Sequence, residues 1–226
     1  MALDSKAFTT RSLTAIVFVI VMLAGLLWNQ WSFIVLFTII HFGCWYEFVK
    51  LLKKIKPSSY KSLSLLGLPY ISLPVALLLL MRLGNNIYFD NRHLLIVPCG
   101  IIFSIWINDT MAYIVGSLIG KTPLSKISPK KTWEGTLGGA LLCIATIALI
   151  GNALGYYTYK DWIIIATLCA IFGTLGDLLE SKLKRMANVK DSGSIMPGHG
   201  GFLDRFDSFL VAITFVALYY FLYMPT

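Results

Sequence analysis

Residues 12–28 read SLTAIVFVIVMLAGLLW, an apolar run that contains no charged residue. A transmembrane α-helix needs about 20 mainly apolar residues, within a range of roughly 17–25. Further runs of this kind follow at residues 31–49, 62–81, 93–119, 134–152, 161–180 and 202–222. No cleavage site of the A-x-A type follows the first run, so we expect it to remain as a helix. The pattern predicts an all-α, polytopic integral membrane protein with about seven transmembrane helices.

Composition predicts the same fold class. Apolar residues make up 57% of the 226 residues and charged residues 13%, whereas soluble domains average roughly 45–50% and about 25%. Seven helices of about 20 residues occupy roughly 140 positions, which leaves no room for a separate soluble domain. The chemistry must therefore be carried out by membrane helices and short loops. We expect three N-terminal spans in residues 1–92, and a catalytic membrane region in residues 93–226 with cytoplasmic loops at 120–133 and 181–201.

The distribution of Lys and Arg predicts the orientation of these spans. The chain has 19 basic and 11 acidic residues. The basic excess lies in loops beside apolar runs, so we expect contact with an anionic membrane surface and no nucleic acid partner. With the N-terminus in the cytoplasm, 16 basic residues lie on the cytoplasmic side and 3 lie outside. This asymmetry follows the positive-inside rule, and seven spans then put the C-terminus outside.

Acidic residues stand within or at the ends of the apolar runs. Asp109 lies inside the fourth run. Asp177 and Glu180 close the sixth run, and Asp204 and Asp207 open the seventh. An ionisable side chain at membrane depth is costly and marks a functional site by default. Each pair has i, i+3 spacing, which puts both carboxylates on one helix face. The alternative is that these acids form structural ion pairs with basic residues at the helix ends.

The loop between the sixth and seventh runs combines cations with glycines. Lys184, Arg185 and Lys190 can hold phosphate oxygens. Gly200 and Gly201 let the backbone approach a ligand closely, just before a helix start whose N–H groups form an anion site. Carboxylates in the same place would repel an anionic substrate unless a divalent cation lies between them. Mg²⁺ binds carboxylates together with substrate phosphates, so we predict Mg²⁺ as the cofactor and leave a second metal ion open.

A second basic loop follows the long fourth run. It carries Ser128, Lys130, Lys131 and Thr132 just before a helix start at Trp133. Such a loop contacts either anionic lipid headgroups or the phosphates of a substrate. A Ser-Pro step followed by Lys-Lys-Thr and a helix start is more structured than headgroup contact requires, which favours a substrate.

Residues 181–207 carry a specific spacing of residue types: Ser-x-apolar-Lys-Arg, four residues, Lys-Asp, then Pro-x-His-Gly-Gly, then Asp-Arg-apolar-Asp. It is met by Ser181, Lys184, Arg185, Lys190, Asp191, Pro197, His199, Gly200, Gly201, Asp204, Arg205 and Asp207. This segment resembles the signature of the CDP-diacylglycerol synthase (phosphatidate cytidylyltransferase) family. Met196 stands where that family usually has Leu, Ile or Phe. The segments GDLLES, SPKKTWEG and NDTMAY also resemble the family, so the resemblance covers about residues 105–208.

The resemblance implies the reaction CTP + phosphatidate → CDP-diacylglycerol + pyrophosphate, with CTP, phosphatidic acid and membrane lipids as partners. It implies Asp177 and Asp204 as metal ligands. Asp207 and Glu180 are implied as further ligands or as residues that orient them. Lys184 is implied as catalytic.

Contacts with the substrates are implied for a larger set in the two loops: Ser128, Lys130, Lys131, Thr132, Ser181, Arg185, Lys190, Asp191, Gly200, Gly201 and Arg205. His199 is implied to orient a phosphate or move a proton, unless it only belongs to a tight turn. Asp109 is implied to bind metal or nucleotide, or to pair with a lysine.

Two other functions stay open. Another CTP-dependent membrane lipid enzyme, polyprenol kinase-like or an archaeal lipid cytidylyltransferase, would share several features, but the complete signature favours the phosphatidate enzyme. A cation or proton transporter would also carry acids in the membrane. Transporters are built from similar halves, and no internal repeat is present here. We expect a bacterial plasma membrane protein with its active site facing the cytoplasm, and a homodimer is left open.

Overall fold

The computed structural model describes residues 5–84, 91–196, 198 and 200–224, with the side chains of 5–11 and 91–93 excepted. The described residues form eight α-helices and one π-helical turn at Leu68–Ser72. The α-helices are α1 Ser5–Leu27, α2 Gln30–Ile55, α3 Tyr60–Ser64, α4 Leu73–Leu83, α5 Asn91–Ile119, α6 Trp133–Leu154, α7 Tyr159–Met186 and α8 Leu203–Tyr223. Only isolated β-bridges, and no strand, occur among the described residues. The predicted all-α class is confirmed.

Among the residues that the structure describes, six helical segments are long and apolar enough to cross a membrane. They are Gln30–Ile55, Tyr60–Leu83, Leu94–Ile119, Trp133–Leu154, Tyr159–Met186 and Leu203–Tyr223, and each coincides with a predicted run. The remaining predicted run, at 12–28, lies in α1, where Ser12–Leu27 forms a shorter apolar helix. The chain is therefore an integral membrane protein.

The span predicted at 62–81 is not one regular helix. It consists of α3, the π-helical turn and α4 in succession. Pro69 lies in the π-helical turn and Pro74 lies in the first turn of α4. Proline has no backbone N–H and its ring clashes with the preceding turn, so the α-helical hydrogen-bond pattern is interrupted there.

The chain divides into two compact units, which are described separately. The first unit comprises Met1–Ser72 and Leu183–Phe206, and the second comprises Leu73–Lys182 and Asp207–Thr226. The predicted division into residues 1–92 and 93–226 concerned the place of the chemistry, and it stays a prediction.

In the first unit, a short connection joins α1 to α2. The Asn29 side chain accepts hydrogen bonds from the backbone N–H groups of Trp31 and Ser32, at 2.8 and 2.9 Å, and so caps α2. This cap satisfies N–H groups that have no partner within the helix. Apolar side chains of α2, among them Phe33, Phe37 and Phe48, are buried.

In the second unit, α5 and α6 pack closely because small residues line their contact. A Cβ atom on Gly139 would lie 2.6 Å from the backbone nitrogen of Ala112, so only glycine permits this approach. Thr132 caps the start of α6 by accepting a hydrogen bond from the Gly135 N–H at 3.1 Å. The loop that precedes α6 is thereby joined to the start of that helix.

Candidate active site

Three carboxylates of the second unit form a compact group, which we call the acid cluster: Asp177, Glu180 and Asp207. One oxygen from each lies within 4.8 Å of the other two. Glu180 is fully buried and Asp207 is 8% exposed. Gly176 brings the helices together, because a Cβ atom there would lie 2.4 Å from the backbone oxygen of Asp207. The acid cluster is therefore built by close helix packing.

The loop at 120–132 brings a lysine to this acid cluster. Lys131 forms an ion pair with Asp177, and Ser181 donates a hydrogen bond to the same carboxylate at 3.2 Å. Glu134 ties the start of the loop, since it accepts hydrogen bonds from the backbone N–H groups of Lys121 and Thr122, at 3.2 and 3.1 Å. Both ends of the loop are thus fixed, and the basic side chain is held against the acids.

A cavity of about 540 Å³ in the second unit is lined by Asp177 of the acid cluster and by Lys131. Four further predicted positions line it, Asp109, Ser128, Lys130 and Thr132, together with Thr174. A cavity of this size, with a few converging polar and charged groups, is typical of a small-molecule site.

Two further residues characterise the cavity. Asn108, which lines it, is 3% exposed, and within the described part of the chain its Oδ1 atom accepts no hydrogen bond. Because buried polar atoms are nearly always paired, an unpaired acceptor here is consistent with a ligand that completes the site. Tyr113, also in the lining, is 77% exposed. Its side chain therefore gives the cavity wall an exposed aromatic part.

In the first unit, Asp204 lies at the start of α8 among hydrogen-bond donors. Its Oδ1 atom accepts from Lys184 Nζ at 2.7 Å. Its Oδ2 atom accepts from the backbone N–H groups of Ser192 and Gly201, each at 2.8 Å. The Ser192 hydroxyl lies 2.8 Å from the same Oδ2 atom. Asp204 therefore links the end of α7, the loop and the start of α8.

Glu47 of α2 is a second buried carboxylate in the first unit, 3% exposed. It accepts hydrogen bonds from the Ser192 hydroxyl at 2.7 Å, from the Phe202 N–H at 3.0 Å and from the Leu203 N–H at 2.9 Å. We call Glu47, Ser192, Asp204 and Lys184 the anchor network. A carboxylate that accepts several such bonds stays buried at low cost.

A smaller cavity of about 180 Å³ lies beside this network in the first unit. Asp191, Ser192 and Gly193 line one part of it, and Lys50 and Lys54 of α2 line another. The two lysines stand four residues apart, so they lie on one helix face. The lining thus combines two lysines with one carboxylate.

The predicted site residues divide between the two units. The second unit brings together Asp109, Ser128, Lys130, Lys131, Thr132, Asp177, Glu180, Ser181 and Asp207. The first unit contains Lys184, Arg185, Lys190, Asp191, Gly200, Gly201, Asp204 and Arg205. Because Asp177 and Asp204 belong to different units, their predicted joint binding of a metal stays a prediction. His199 lies outside the described residues.

Sequence analysis missed two residues that the structure brings forward. Glu47 is an isolated acid in the apolar run 31–49, so the argument that singled out Asp109 applied to it equally. Its relation to Ser192 has no sequence signal, because 145 positions separate them. Asn108 is uncharged and carries no signal beyond its place before Asp109.

Comparison with known proteins identifies the class of protein that these helices and acids define. The model of the cytidylyltransferase family matches residues 58–223. The chain belongs to this family.

Individual relatives carry a more particular name. The chain is 50% identical to the phosphatidate cytidylyltransferase of Bacillus subtilis over 116 residues, which are 50% of this chain and 42% of that protein. It is 48% identical to the Staphylococcus saprophyticus protein of the same name over 112 residues, 48% of this chain and 43% of that one. It is 46% identical to phosphatidate cytidylyltransferase 5, chloroplastic, of Arabidopsis thaliana over 131 residues, 56% of this chain and 32% of that one. The chain thus matches less than half the length of each relative.

Proposed function

We propose that this chain is a phosphatidate cytidylyltransferase, which transfers the CMP group of CTP to phosphatidic acid. A phosphate oxygen of phosphatidate attacks the α-phosphorus of CTP. The bond from the α-phosphorus to the bridging oxygen breaks, and pyrophosphate leaves with that oxygen. The products are CDP-diacylglycerol and pyrophosphate. The names of the relatives support this choice of substrates.

The observation that carries the proposal is the composition of the large cavity. Lys130 and Lys131 supply cations beside the acid cluster, and the wall at Tyr113 is exposed on a helix that we expect to cross the bilayer. A lipid phosphate needs an entrance from the bilayer, and a nucleotide needs cations for its phosphates. The cavity offers cations and an exposed wall within one chain.

The acid cluster fits Mg²⁺. Its donor set is made of carboxylate oxygens within 4.8 Å of one another, and Mg²⁺ takes one or two carboxylates together with substrate phosphates. Asp177 and Asp207 would hold the ion, with Glu180 as a further ligand or as a residue that orients them. When bound, Mg²⁺ neutralises charge that develops on the phosphate oxygens.

The chain's own residues position the two anionic substrates. Lys131, fixed by its pair with Asp177, would contact a phosphate oxygen of CTP, and Ser128 and Lys130 on the same loop would hold the others. Phosphoryl transfer depends mainly on alignment and on neutralising charge. The hydrogen bonds at Glu134 and Thr132 hold the loop in place, so that its side chains can align the phosphates and neutralise their charge.

Product analysis tests the proposal and separates it from its main alternative. The purified chain is given CTP, phosphatidate and Mg²⁺ in lipid nanodiscs. We expect equimolar pyrophosphate and CDP-diacylglycerol. A polyprenol kinase-like enzyme would instead transfer the terminal phosphate of CTP and release CDP. Release of CDP, or no lipid-dependent release of pyrophosphate, would contradict the proposal.

The cytoplasmic orientation of the site is part of the proposal, because CTP is a cytoplasmic metabolite. The 16 basic residues assigned to the cytoplasmic side support it. In intact cells, a cysteine introduced at Ser58 should be protected from a membrane-impermeant thiol reagent, and one at Asn86 should be labelled. Labelling at position 58 with protection at 86 would reverse the orientation. Variants that lack the four native cysteines remove background labelling.

A further inference from the structure

We propose that Glu47 is a positioning residue, which sets the conformation of the loop around Ser192 and Gly201 and thereby holds Lys184 and Asp204, the residues that the family resemblance implies as catalytic and as a metal ligand. The inference rests on the proposed function, although its structural half can be tested without activity. Glu47 is 3% exposed, so it acts through the residues that it binds.

Glu47 binds the backbone at the start of α8. The first N–H groups of a helix have no partner within it and carry the positive end of the helix dipole. Glu47 Oε1 accepts from Phe202 N–H, and Oε2 accepts from Leu203 N–H, at 3.0 and 2.9 Å. A side chain about 155 positions earlier in the sequence thus determines where α8 begins.

Ser192 links Glu47 to Asp204. The Ser192 hydroxyl lies 2.7 Å from Glu47 Oε2 and 2.8 Å from Asp204 Oδ2. The Ser192 N–H also donates to Asp204, and Asp204 in turn accepts from Lys184. A shift of the Glu47 carboxylate therefore moves Ser192 and the ion pair together.

Two glycines of the loop lie directly against the Glu47 carboxylate. A Cβ atom on Gly201 would lie 2.1 Å from Glu47 Oε1, and one on Gly193 would also lie 2.1 Å from it. No methyl group fits at either distance. The loop at these two glycines therefore packs directly on the carboxylate, and both oxygens of Glu47 are committed to it.

The central experiment is Glu47→Gln, which keeps the shape and replaces one acceptor oxygen by an NH₂ donor. Both oxygens of Glu47 accept hydrogen bonds from the loop. In the variant, one donor group of the loop therefore faces the new NH₂ group and has no acceptor. We expect kcat to fall about 10- to 100-fold, the effect of a displacement of about 1 Å, while the KM for phosphatidate stays within about twofold.

The matched control is Asp161→Asn. Asp161 is also a buried carboxylate with three hydrogen bonds, from Thr158 N–H, the Thr158 hydroxyl and the Tyr219 hydroxyl, at 3.0, 2.6 and 2.7 Å. It lies at the start of α7 in the second unit, outside the acid cluster. We expect this variant to lower thermal stability and to leave kcat per folded molecule unchanged. Equal kcat per folded molecule in the two variants would overturn the inference.

A double-mutant cycle with Gly201 keeps the test decisive if Glu47→Gln folds poorly. Gly201→Ala alone should lower kcat, because the methyl group meets the carboxylate. In a Glu47→Ala background the space is open, so Gly201→Ala should add little further loss. Additive losses would show that the two residues act independently and would refute the proposal.

Hydrogen exchange separates failure of this inference from failure of the proposed function. In Glu47→Gln, the backbone amides of Ser192, Gly201, Phe202 and Leu203 should exchange faster than in the wild type, whereas those of α6 should not change. This result would support the structural half even if the wild-type chain released no pyrophosphate. Unchanged exchange in an active enzyme would refute the inference and leave the proposed function intact.

Discussion

The acid cluster and the anchor network use the same residue type in opposite surroundings. In the acid cluster, three carboxylates lie within 4.8 Å of one another, and Lys131 contacts one of them. In the anchor network, Glu47 and Asp204 are surrounded by N–H groups, a hydroxyl and Lys184. Crowded acids repel one another and favour a cation, whereas acids supplied with donors hold the backbone in place. Surroundings, and not residue type, distinguish a candidate metal site from a structural one.

Removal of divalent metal should lower turnover more than any substitution. We expect the metal to bind only at the acid cluster, so the anchor network should not be affected. We expect EDTA to reduce pyrophosphate release to background, and added Mg²⁺ to restore it. Mg²⁺ at about ten times its Kd should stabilise the folded chain by about 1.4 kcal/mol, measured as a higher melting temperature. The Asp207→Asn variant should show no such rise. Full activity in EDTA would show that the acid cluster, like the anchor network, holds no metal that the reaction needs.

The second-largest loss of turnover is expected when one carboxylate of the acid cluster is neutralised. Asp207→Asn removes a negative charge from the acid cluster, so we expect about 10²- to 10³-fold lower kcat and a melting temperature at or above that of the wild type. Steady-state pyrophosphate release and thermal unfolding measure the two quantities. A folded variant with near-normal turnover would show that the acid cluster is not the site of chemistry.

Neutralising Asp204 of the anchor network should lower stability as well as turnover. Asp204→Asn weakens the bond with Lys184 and sets an amide donor against a loop donor. We expect the free energy of unfolding to fall by about 1–3 kcal/mol, which lowers the melting temperature by several degrees. An unchanged melting temperature together with abolished turnover would instead support the joint metal site with Asp177 that the sequence predicts.

The smallest effect is expected for the lysine that faces the acid cluster. Lys131→Ala removes a phosphate contact, so we expect about a tenfold rise in the KM for CTP, which corresponds to about 1.4 kcal/mol. Lys126, an exposed lysine of the same loop, serves as the control, and Lys126→Ala should leave the KM unchanged. If both variants behave like the wild type, the loop only contacts lipid headgroups.

Much of the fold could be predicted from the sequence because the bilayer imposes simple rules. Helix length and apolar composition are local properties, so the predicted runs coincide with the long helices of the structure. The exception at 62–81 also has a local cause, since Pro69 and Pro74 interrupt the hydrogen bonds of a regular helix. The family signature at 181–207 and the family match at 58–223 likewise depend on short spacings in the chain.

The helical class and the set of acids and lysines follow from the sequence. So does the pairing of neighbours such as Asp177 with Glu180, because i, i+3 spacing places them on one helix face. Tertiary packing is what brings Asp207 to this group and Glu47 to the start of α8. These contacts join residues far apart in the chain. They depend on how closely helices approach at Gly176 and Gly201, and packing of that kind has no local signal in the sequence.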